Sequence, residues 1–131
     1  MFKSIKTSEA NKEIVTDLSR KLGLGAENII ARIAYSYSLA SDVRLSISDI
    51  KDARGKEYSA TVLFGNNLPF YIAMVCTHYN IYKTDKDIAK YVKLHIDHGL
   101  ELLDKEFNDN PNVTGFEFLV NKVDIGLREL I

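Results

Sequence analysis

The segment GLGAENIIARIAYSYSLA, residues 23–40, decides the fold because it joins a helix stop to a long helix. Gly23 and Gly25 are typical of a turn that ends one helix. The next helix extends over about Ala26 to Ala40, and its apolar residues share one face. These residues are Ile29, Ile30, Ile33, Ala34 and Tyr37. The segment therefore predicts two helices that are joined by a tight turn and share a core.

The residues before this turn predict a short strand and the first of the two helices. Ile5 lies between two lysines in the piece Phe2 to Lys6, which is consistent with a short exposed strand. Thr7 or Ser8 is placed to cap the following helix. Strand, helix, turn and helix is the order of a ribbon-helix-helix module, in which two chains pair their strands in a DNA groove. A plain helical hairpin fits the same pattern, and both interpretations stay open.

The middle of the chain is less regular. Residues 41–66 are rich in charged and small residues, and we expect an extended piece at Tyr58 to Leu63. A third helix, about Leu68 to Tyr82, is apolar on nearly every face through Cys76. We therefore expect this third helix to be the buried centre of the fold.

Two further helices complete the prediction. One begins near Asp85 and ends before Pro111, and the last extends over about Gly115 to Ile131 with an apolar stripe. No linker or repeat divides the chain. The sequence thus predicts one compact, mainly α-helical domain over residues 1–131, with a ribbon-helix-helix-like N-terminal part and about three further helices.

Composition limits the classes of function. The chain has 17 basic and 18 acidic residues and a pI near 6.3, so any phosphate binding must come from a local patch. A single cysteine, Cys76, excludes an intrachain disulfide and fits a reducing compartment. The sequence shows neither a signal-peptide layout nor an unbroken apolar run of about 20 residues. We expect a cytoplasmic protein without a membrane span.

The segment ARGKEY, residues 53–58, contains a Gly-Lys pair, which also occurs in nucleotide-binding P-loops. A P-loop needs glycine five positions before the Gly-Lys glycine and Ser or Thr after the lysine. Ile50 and Glu57 occupy these positions, so ATP binding by this segment is excluded.

Phosphate contact by the same segment is a separate possibility. Arg54 and Lys56 can act as point charges on a phosphate, with Gly55 permitting close approach of the backbone. The alternative, which composition favours, is an ordinary charged turn in which Lys56 pairs with Asp52 or Glu57.

A set of lysines follows at spacings of three, four and three, and it predicts a basic stripe on the fourth helix. The set comprises Lys83, Lys86, Lys90 and Lys93. Nearby aspartates dilute its charge, so a solvated face is favoured over a phosphate-tracking edge.

Candidate catalytic groups are few. His95 and His98 can share a metal only with Glu101 or His78, and no third ligand has a predictable spacing. Cys76 lies in the most apolar run of the chain, where a thiol is usually inert. The sequence offers no convincing catalytic set, and we expect no cofactor and no metal.

Taken together, four blocks resemble the DndE family of the bacterial DNA phosphorothioation system, in which sulfur replaces a non-bridging oxygen of the DNA backbone. The blocks are IIARIAYSYSL at residues 29–39, GKEY at 55–58, LFG at 63–65 and HIDHGL at 95–100. Each block is short, and their order and spacing carry the resemblance, which runs from about residue 5 to residue 105.

The resemblance implies a helical fold related to ribbon-helix-helix proteins, a homo-oligomer that is a tetramer, and preferential binding to nicked duplex DNA. It also implies three protein partners, namely a cysteine desulfurase, an iron-sulfur protein of the ATP pyrophosphatase type and an SMC-like ATPase. On this interpretation the protein has no chemistry of its own and is not an enzyme.

The family resemblance attributes DNA contact to surface lysines that oligomerisation gathers together. Five residues are the predicted DNA contacts: Lys6, Arg20, Lys21, Arg54 and Lys56. Only Lys56, with Arg54 as its neighbour, lies in or beside a matching block, and the other three rest on the ribbon-helix-helix geometry.

Other functions stay open from the sequence. The chain can be a scaffold that holds the other modification proteins together, or a stand-alone ribbon-helix-helix repressor. A nuclease that uses His95, His98 and Glu101 is a further alternative.

Overall fold

The computed structural model of the protein describes residues 2–130. Within that part, the main elements are β1 (Ser4–Lys6), α1 (Asn11–Leu22), α2 (Glu27–Ala40), β2 (Glu57–Ser59), α3 (Ala60–Phe64), α4 (Leu68–Tyr79), α5 (Ile88–Asp109) and α6 (Gly115–Glu129). Single 3-10 turns cover Ile47–Asp49 and Gly65–Asn67. The mainly helical fold with an N-terminal strand and two helices is confirmed.

The turn between α1 and α2 has the form that its glycines predict. Gly23 ends α1 in the left-handed region at a φ of 61°, and Gly25 has a φ of 124°. The predicted caps of α1 are wrong, because the helix begins at Asn11 after Ala10. The Ser8 hydroxyl, three residues before α1, instead donates to the carboxylate of Asp97 at 3.0 Å.

The first strand finds its partner within the chain. β1 pairs antiparallel with β2, and Ile5 lies opposite Tyr58 with both side chains buried. Lys6 is exposed and lies opposite Glu57. The ribbon-helix-helix interpretation expected β1 to obtain its hydrogen bonds from a second chain, whereas β2 supplies them along one edge.

The expected extended piece at Tyr58 to Leu63 is wrong beyond Ser59. The Ser59 hydroxyl accepts the Val62 N–H at 3.2 Å and caps α3, so the chain turns helical immediately after β2. This arrangement buries Leu63 and Phe64 in the core.

The centre of the fold is α5, which packs along α2. Gly99 lets the two helices touch, because a Cβ there would lie 1.8 Å from the Ala34 carbonyl oxygen. Around this contact α5 buries a row of side chains: Val92, His95, Ile96, Leu100 and Leu103. The prediction that the third helix forms the buried centre is therefore wrong.

The third predicted helix, α4, is a peripheral element. Ile72 and Val75 are buried, but 73% of Phe70 and 37% of Met74 are exposed.

By length and composition, one stretch, Ala60–Tyr79, is long and apolar enough to cross a membrane. In this structure the stretch is divided among α3, a 3-10 turn and α4, and core helices meet the same test.

The last helix is attached at its N-terminal end. Phe118 packs on Phe107 with ring centroids 4.9 Å apart, and Gly115 lies against the Leu22 carbonyl, where a Cβ would approach to 1.9 Å. The predicted apolar stripe is present but faces outward. Ile131, which the prediction included in this helix, lies outside the described residues.

Candidate nucleic-acid interface

The loop that carries Arg54 and Lys56 is fixed against the segment between β1 and α1. The Gly55 N–H donates to the Thr7 carbonyl at 2.8 Å, and a Cβ at Gly55 would lie 2.4 Å from the Ser8 carbonyl oxygen. The Lys56 N–H donates to the Thr7 hydroxyl oxygen at 3.1 Å. Gly55 therefore permits a close approach between two segments of the chain itself, not the approach to a phosphate that the sequence suggested.

Arg54 is held at the surface by a small turn. The Asp52 carboxylate accepts the N–H groups of Glu9 at 2.9 Å and Arg54 at 3.0 Å. These hydrogen bonds, that from Glu9 first, lower the pKa of Asp52. The Arg54 Nε lies 3.1 Å from Glu9 Oε2 in an exposed ion pair. The turn thus fixes the backbone and leaves the guanidinium group at the surface.

Lys56 pairs with an acidic residue that the sequence did not suggest. Its Nζ lies 3.5 Å from Glu27 Oε2 at the start of α2, whereas Asp52 or Glu57 was the expected partner. The other oxygen of the Glu27 carboxylate accepts the Thr16 hydroxyl at 3.1 Å. Glu27 therefore presents a carboxylate at the place where a phosphate would meet Lys56.

The Lys56 side chain borders an open depression of about 380 Å³ on the outer face of α1. The other residues that line it are Lys12, Glu13, Thr16 and Asp17. Lys12 is a second cation at this place, and the sequence prediction missed it. Its only signal is the spacing of four residues that places Lys12, Thr16 and Arg20 along one face of α1.

The three remaining predicted contacts are distributed differently. Arg20 pairs with Asp17 at 2.6 Å, and Asp17 lines the depression, whereas Arg20 itself does not. Lys21 is exposed at the end of α1, and within residues 2–130 no carboxylate lies in salt-bridge range of it. Lys6 lies on the outer face of β1 opposite Glu57. Of the five predicted contacts, the structure therefore places Lys56 alone in the lining of this depression.

The predicted lysine stripe does not form. Lys83 and Lys86 lie in the connection before α5 begins, so they are not on that helix. Lys93 is buried, and its Nζ donates to the Lys6 carbonyl at 2.7 Å and to Asp97 Oδ2 at 3.0 Å. A lysine that holds the fold together in this way is not available to a phosphate.

The histidines form a hydrogen-bonded cluster, and its centre is buried. The two ring nitrogens of His95 meet the Ser38 hydroxyl at 2.8 Å and the Tyr79 hydroxyl at 2.6 Å. His98 meets the same Ser38 oxygen at 2.7 Å. Within residues 2–130, no three His, Cys, Asp or Glu side chains are grouped to hold a metal ion. The cluster therefore links α2, α4 and α5 through polar contacts.

This cluster predicts a loss of stability in weak acid. Burial lowers the pKa of His95 from 6.5 to about 4, so the unfolded chain binds a proton that the folded chain does not. The stabilising effect is present above pH 6.5 and is lost as the pH falls toward 4, by at most about 3 kcal/mol. Urea unfolding at a series of pH values measures the slope. In His95→Gln, which keeps a neutral polar group, we expect a smaller slope in this window, and an unchanged slope would contradict the assignment.

Cys76 has no features of a catalytic nucleophile. The side chain is half-buried on α4, and burial raises the pKa of its thiol. The thiolate, which is the reactive form, is therefore disfavoured at neutral pH.

These features define a small, mainly helical protein in which buried polar groups hold the fold and a surface depression on α1 is lined by two lysines and two acidic residues. A scan against protein-family models matches residues 4–110 to DndE, described as DNA sulphur modification protein DndE. The chain therefore belongs to the DndE family. α6 lies beyond the matched residues.

Two solved structures have a similar fold. One is DndE from Escherichia coli B7A, described as involved in DNA phosphorothioation modification, with 21% identity and a TM-score of 0.63. The other is a DndE variant in which two glycines are replaced by lysine, with 22% identity and a TM-score of 0.65. Each comparison covers 79% of this chain and 98% of the other. A comparison with curated protein sequences found no match.

Proposed function

We propose that this chain is a non-catalytic, cytoplasmic DNA-binding component of the phosphorothioate modification machinery. It binds duplex DNA, preferentially at a nick, through basic patches that a homo-oligomer brings together. Residues 1–131 act as one domain in this role. Its partners are the cysteine desulfurase, the iron-sulfur protein of the ATP pyrophosphatase type and the SMC-like ATPase of the same system.

The observation that carries the proposal is the group of cations around the depression on α1. Lys12 and Lys56 line it together with the acidic Glu13 and Asp17, and Arg20 pairs with Asp17. The ion pairs of Arg20 and Arg54 are exposed, and such pairs contribute only about 0–1 kcal/mol each. A DNA phosphate can therefore replace these carboxylates at small cost, because the exposed ion pairs are weak and each phosphate that is neutralised releases counterions from the DNA.

The nearly balanced charge of the chain requires several copies to act together. A patch with two or three cations per chain becomes a patch of about eight to twelve in a tetramer, enough for salt-sensitive binding. The exposed apolar outer face of α4, which includes Phe70 and Met74, supports assembly, since monomeric proteins rarely expose such patches.

Charge changes in the depression test the proposal in both directions. Lys56→Glu is expected to weaken binding to nicked duplex DNA. It is also expected to reduce the steepness of log K against log salt concentration by about one for each copy of Lys56 that contacts DNA. Glu27→Gln removes the competing carboxylate and is expected to strengthen binding. Fluorescence anisotropy with a labelled nicked duplex measures both effects.

The matched control for Lys56→Glu is Lys105→Glu, which makes the same charge change at an exposed position on α5. If Lys56→Glu and Lys105→Glu weaken binding equally, the effect is one of net charge and the depression is not the site. If Glu27→Gln weakens binding, the proposal that Glu27 competes with phosphate for Lys56 is contradicted.

A scaffold without direct DNA contact is the second candidate, and the exposed apolar surfaces of α4 and α6 favour it. It predicts that the chain co-purifies with the iron-sulfur protein and the ATPase after nuclease treatment, and that it does not retard DNA alone. A ribbon-helix-helix repressor ranks third, because β2 already pairs with β1. That function predicts half-site footprints on a palindromic operator.

A further inference from the structure

The last helix carries an apolar row that no part of residues 2–130 covers. Five side chains on or directly after α6 are 51% to 83% exposed: Phe116, Val120, Val123, Leu127 and Leu130. Their spacings are four, three, four and three residues, which is the a/d repeat of a coiled coil. We call these five residues the α6 seam.

The α6 seam faces away from the rest of the chain. Phe118, which occupies the position opposite an a/d seam, is the side chain that packs on Phe107. Lys122 pairs with Glu106 on α5 and lies over the Tyr37 ring at 5.2 Å. These contacts hold the first two turns of α6 in place. The seam is therefore presented on a formed helix, which removes most of the ordering cost of pairing.

The residues beside the seam indicate which partner fits it. Position e carries Glu117 and Asp124, and position g carries Leu119 and Gly126. In a parallel pair of α6 helices, Asp124 meets the uncharged Leu119 of the other copy. In an antiparallel pair, position e meets position e, so Glu117 opposes Asp124 of the other copy, and of the described residues on α6 only Arg128, which pairs with Asp124 at 2.6 Å, offsets this repulsion.

We propose that the α6 seam pairs in parallel with the α6 seam of a second copy of this chain. The a/d spacing gives two identical faces that are complementary to each other, as a two-fold interface requires. The charges at position e select the parallel orientation. α6 lies outside the residues that match the DndE model, so this interface is additional to whatever the matched region provides.

The oligomeric mass of the full chain tests the pairing without DNA, so its failure is distinguishable from failure of the DNA proposal. We expect Val123→Glu to lower the mass in sedimentation equilibrium by a factor of two and to leave the far-UV spectrum unchanged. Asn121→Glu is the control, because it places the same charge on an exposed position of α6 outside the seam.

An equal mass for Val123→Glu and the unchanged chain at every concentration would overturn the proposal. So would an equal loss of mass in Asn121→Glu, since this would reflect added charge and not the seam. Leu127→Lys provides a second variant at the seam with the opposite charge, and it is expected to behave as Val123→Glu does.

Disulfide cross-linking tests the orientation. In a Cys76→Ser background, Phe116→Cys is expected to form a disulfide-linked dimer under mild oxidation, because a parallel pair places the two copies of position 116 side by side. An antiparallel pair separates them by about 20 Å along the helices. A cross-link that forms only between Phe116→Cys and Leu130→Cys chains would overturn the parallel arrangement.

Discussion

Replacement of Gly99 by alanine is expected to destroy the native fold. The added methyl group would lie 1.8 Å from the Ala34 carbonyl oxygen and 2.4 Å from the Ala34 carbonyl carbon. Both atoms belong to the backbone of α2, so no side-chain rotation relieves the overlap. The helices α2 and α5 would have to separate where Leu100 and Ile96 pack, with a loss of more than about 4 kcal/mol.

Gly126→Ala is the matched control for Gly99→Ala. Both glycines lie within helices, but a Cβ at Gly126 meets nothing within 4 Å. The control is expected to gain about 0.5–1 kcal/mol, because alanine is the better helix former. Urea unfolding followed by circular dichroism measures both changes. A Gly99→Ala chain that unfolds at the same urea concentration as the unchanged chain would contradict the close contact of α2 and α5.

Removal of the Asp97 carboxylate is expected to have the second largest effect. This half-buried group accepts hydrogen bonds from the Ser8 N–H and hydroxyl, both at 3.0 Å, and from the Asn11 amide at 2.7 Å. It also forms an ion pair with Lys93 at 3.0 Å. The Asp97→Ala change leaves the buried Lys93 ammonium without its counter-ion, which typically costs about 3–5 kcal/mol.

Two further variants test the contribution of the Asp97 network to stability. Asp97→Asn keeps the shape and part of the hydrogen bonding, and it is expected to lose less stability than Asp97→Ala. Glu101→Ala removes an exposed carboxylate one turn further along α5, which pairs with Lys51 at 3.7 Å, and it is expected to change stability by at most about 1 kcal/mol. Equal midpoints of urea unfolding for Asp97→Ala and Glu101→Ala would show that the network contributes little.

The same network positions the candidate DNA interface. Asp97 holds the segment between β1 and α1, and Gly55 packs on that segment to fix Arg54 and Lys56. A partial loss of DNA binding in Asp97→Asn is therefore expected to accompany its loss of stability. The hydrogen bonds of Asp97 thus connect the core of the fold to the surface cations Arg54 and Lys56.

Local patterns predicted the elements well. The glycine turn before α2 follows from its residues. Of the apolar stripe predicted for α2, Ile30 and Ala34 are buried, whereas Ile29, Ile33 and Tyr37 are half-buried because the buried face is rotated toward Ala31 and Tyr35. The centre of the fold was predicted wrongly because α4 is the more apolar helix. α5 is central although it contains the buried Lys93 and the half-buried Asp97, and the Asp97 carboxylate finds a partner in Ser8, 89 positions away.

The candidate interface shows the same limit. The sequence identified Arg54 and Lys56 from local composition, but the pairing of Lys56 with Glu27 and the proximity of Lys12 depend on how the loop before β2 lies against α1 and the start of α2. The α6 seam likewise faces outward because the opposite side of the helix, which carries Phe118, packs against Phe107 of α5. Periodicity predicts that a helix has an apolar face, and it does not identify what covers that face.

The salt dependence of binding to nicked duplex DNA tests the proposed function most directly. The purified full chain is titrated on a nicked duplex and on the intact duplex of the same sequence between about 50 and 200 mM salt. We predict tighter binding to the nicked duplex and a linear fall of log K with log salt, with a slope of about 0.9 per phosphate contacted. If the chain binds neither the nicked nor the intact duplex at the lowest salt concentration, direct DNA binding by this chain is contradicted.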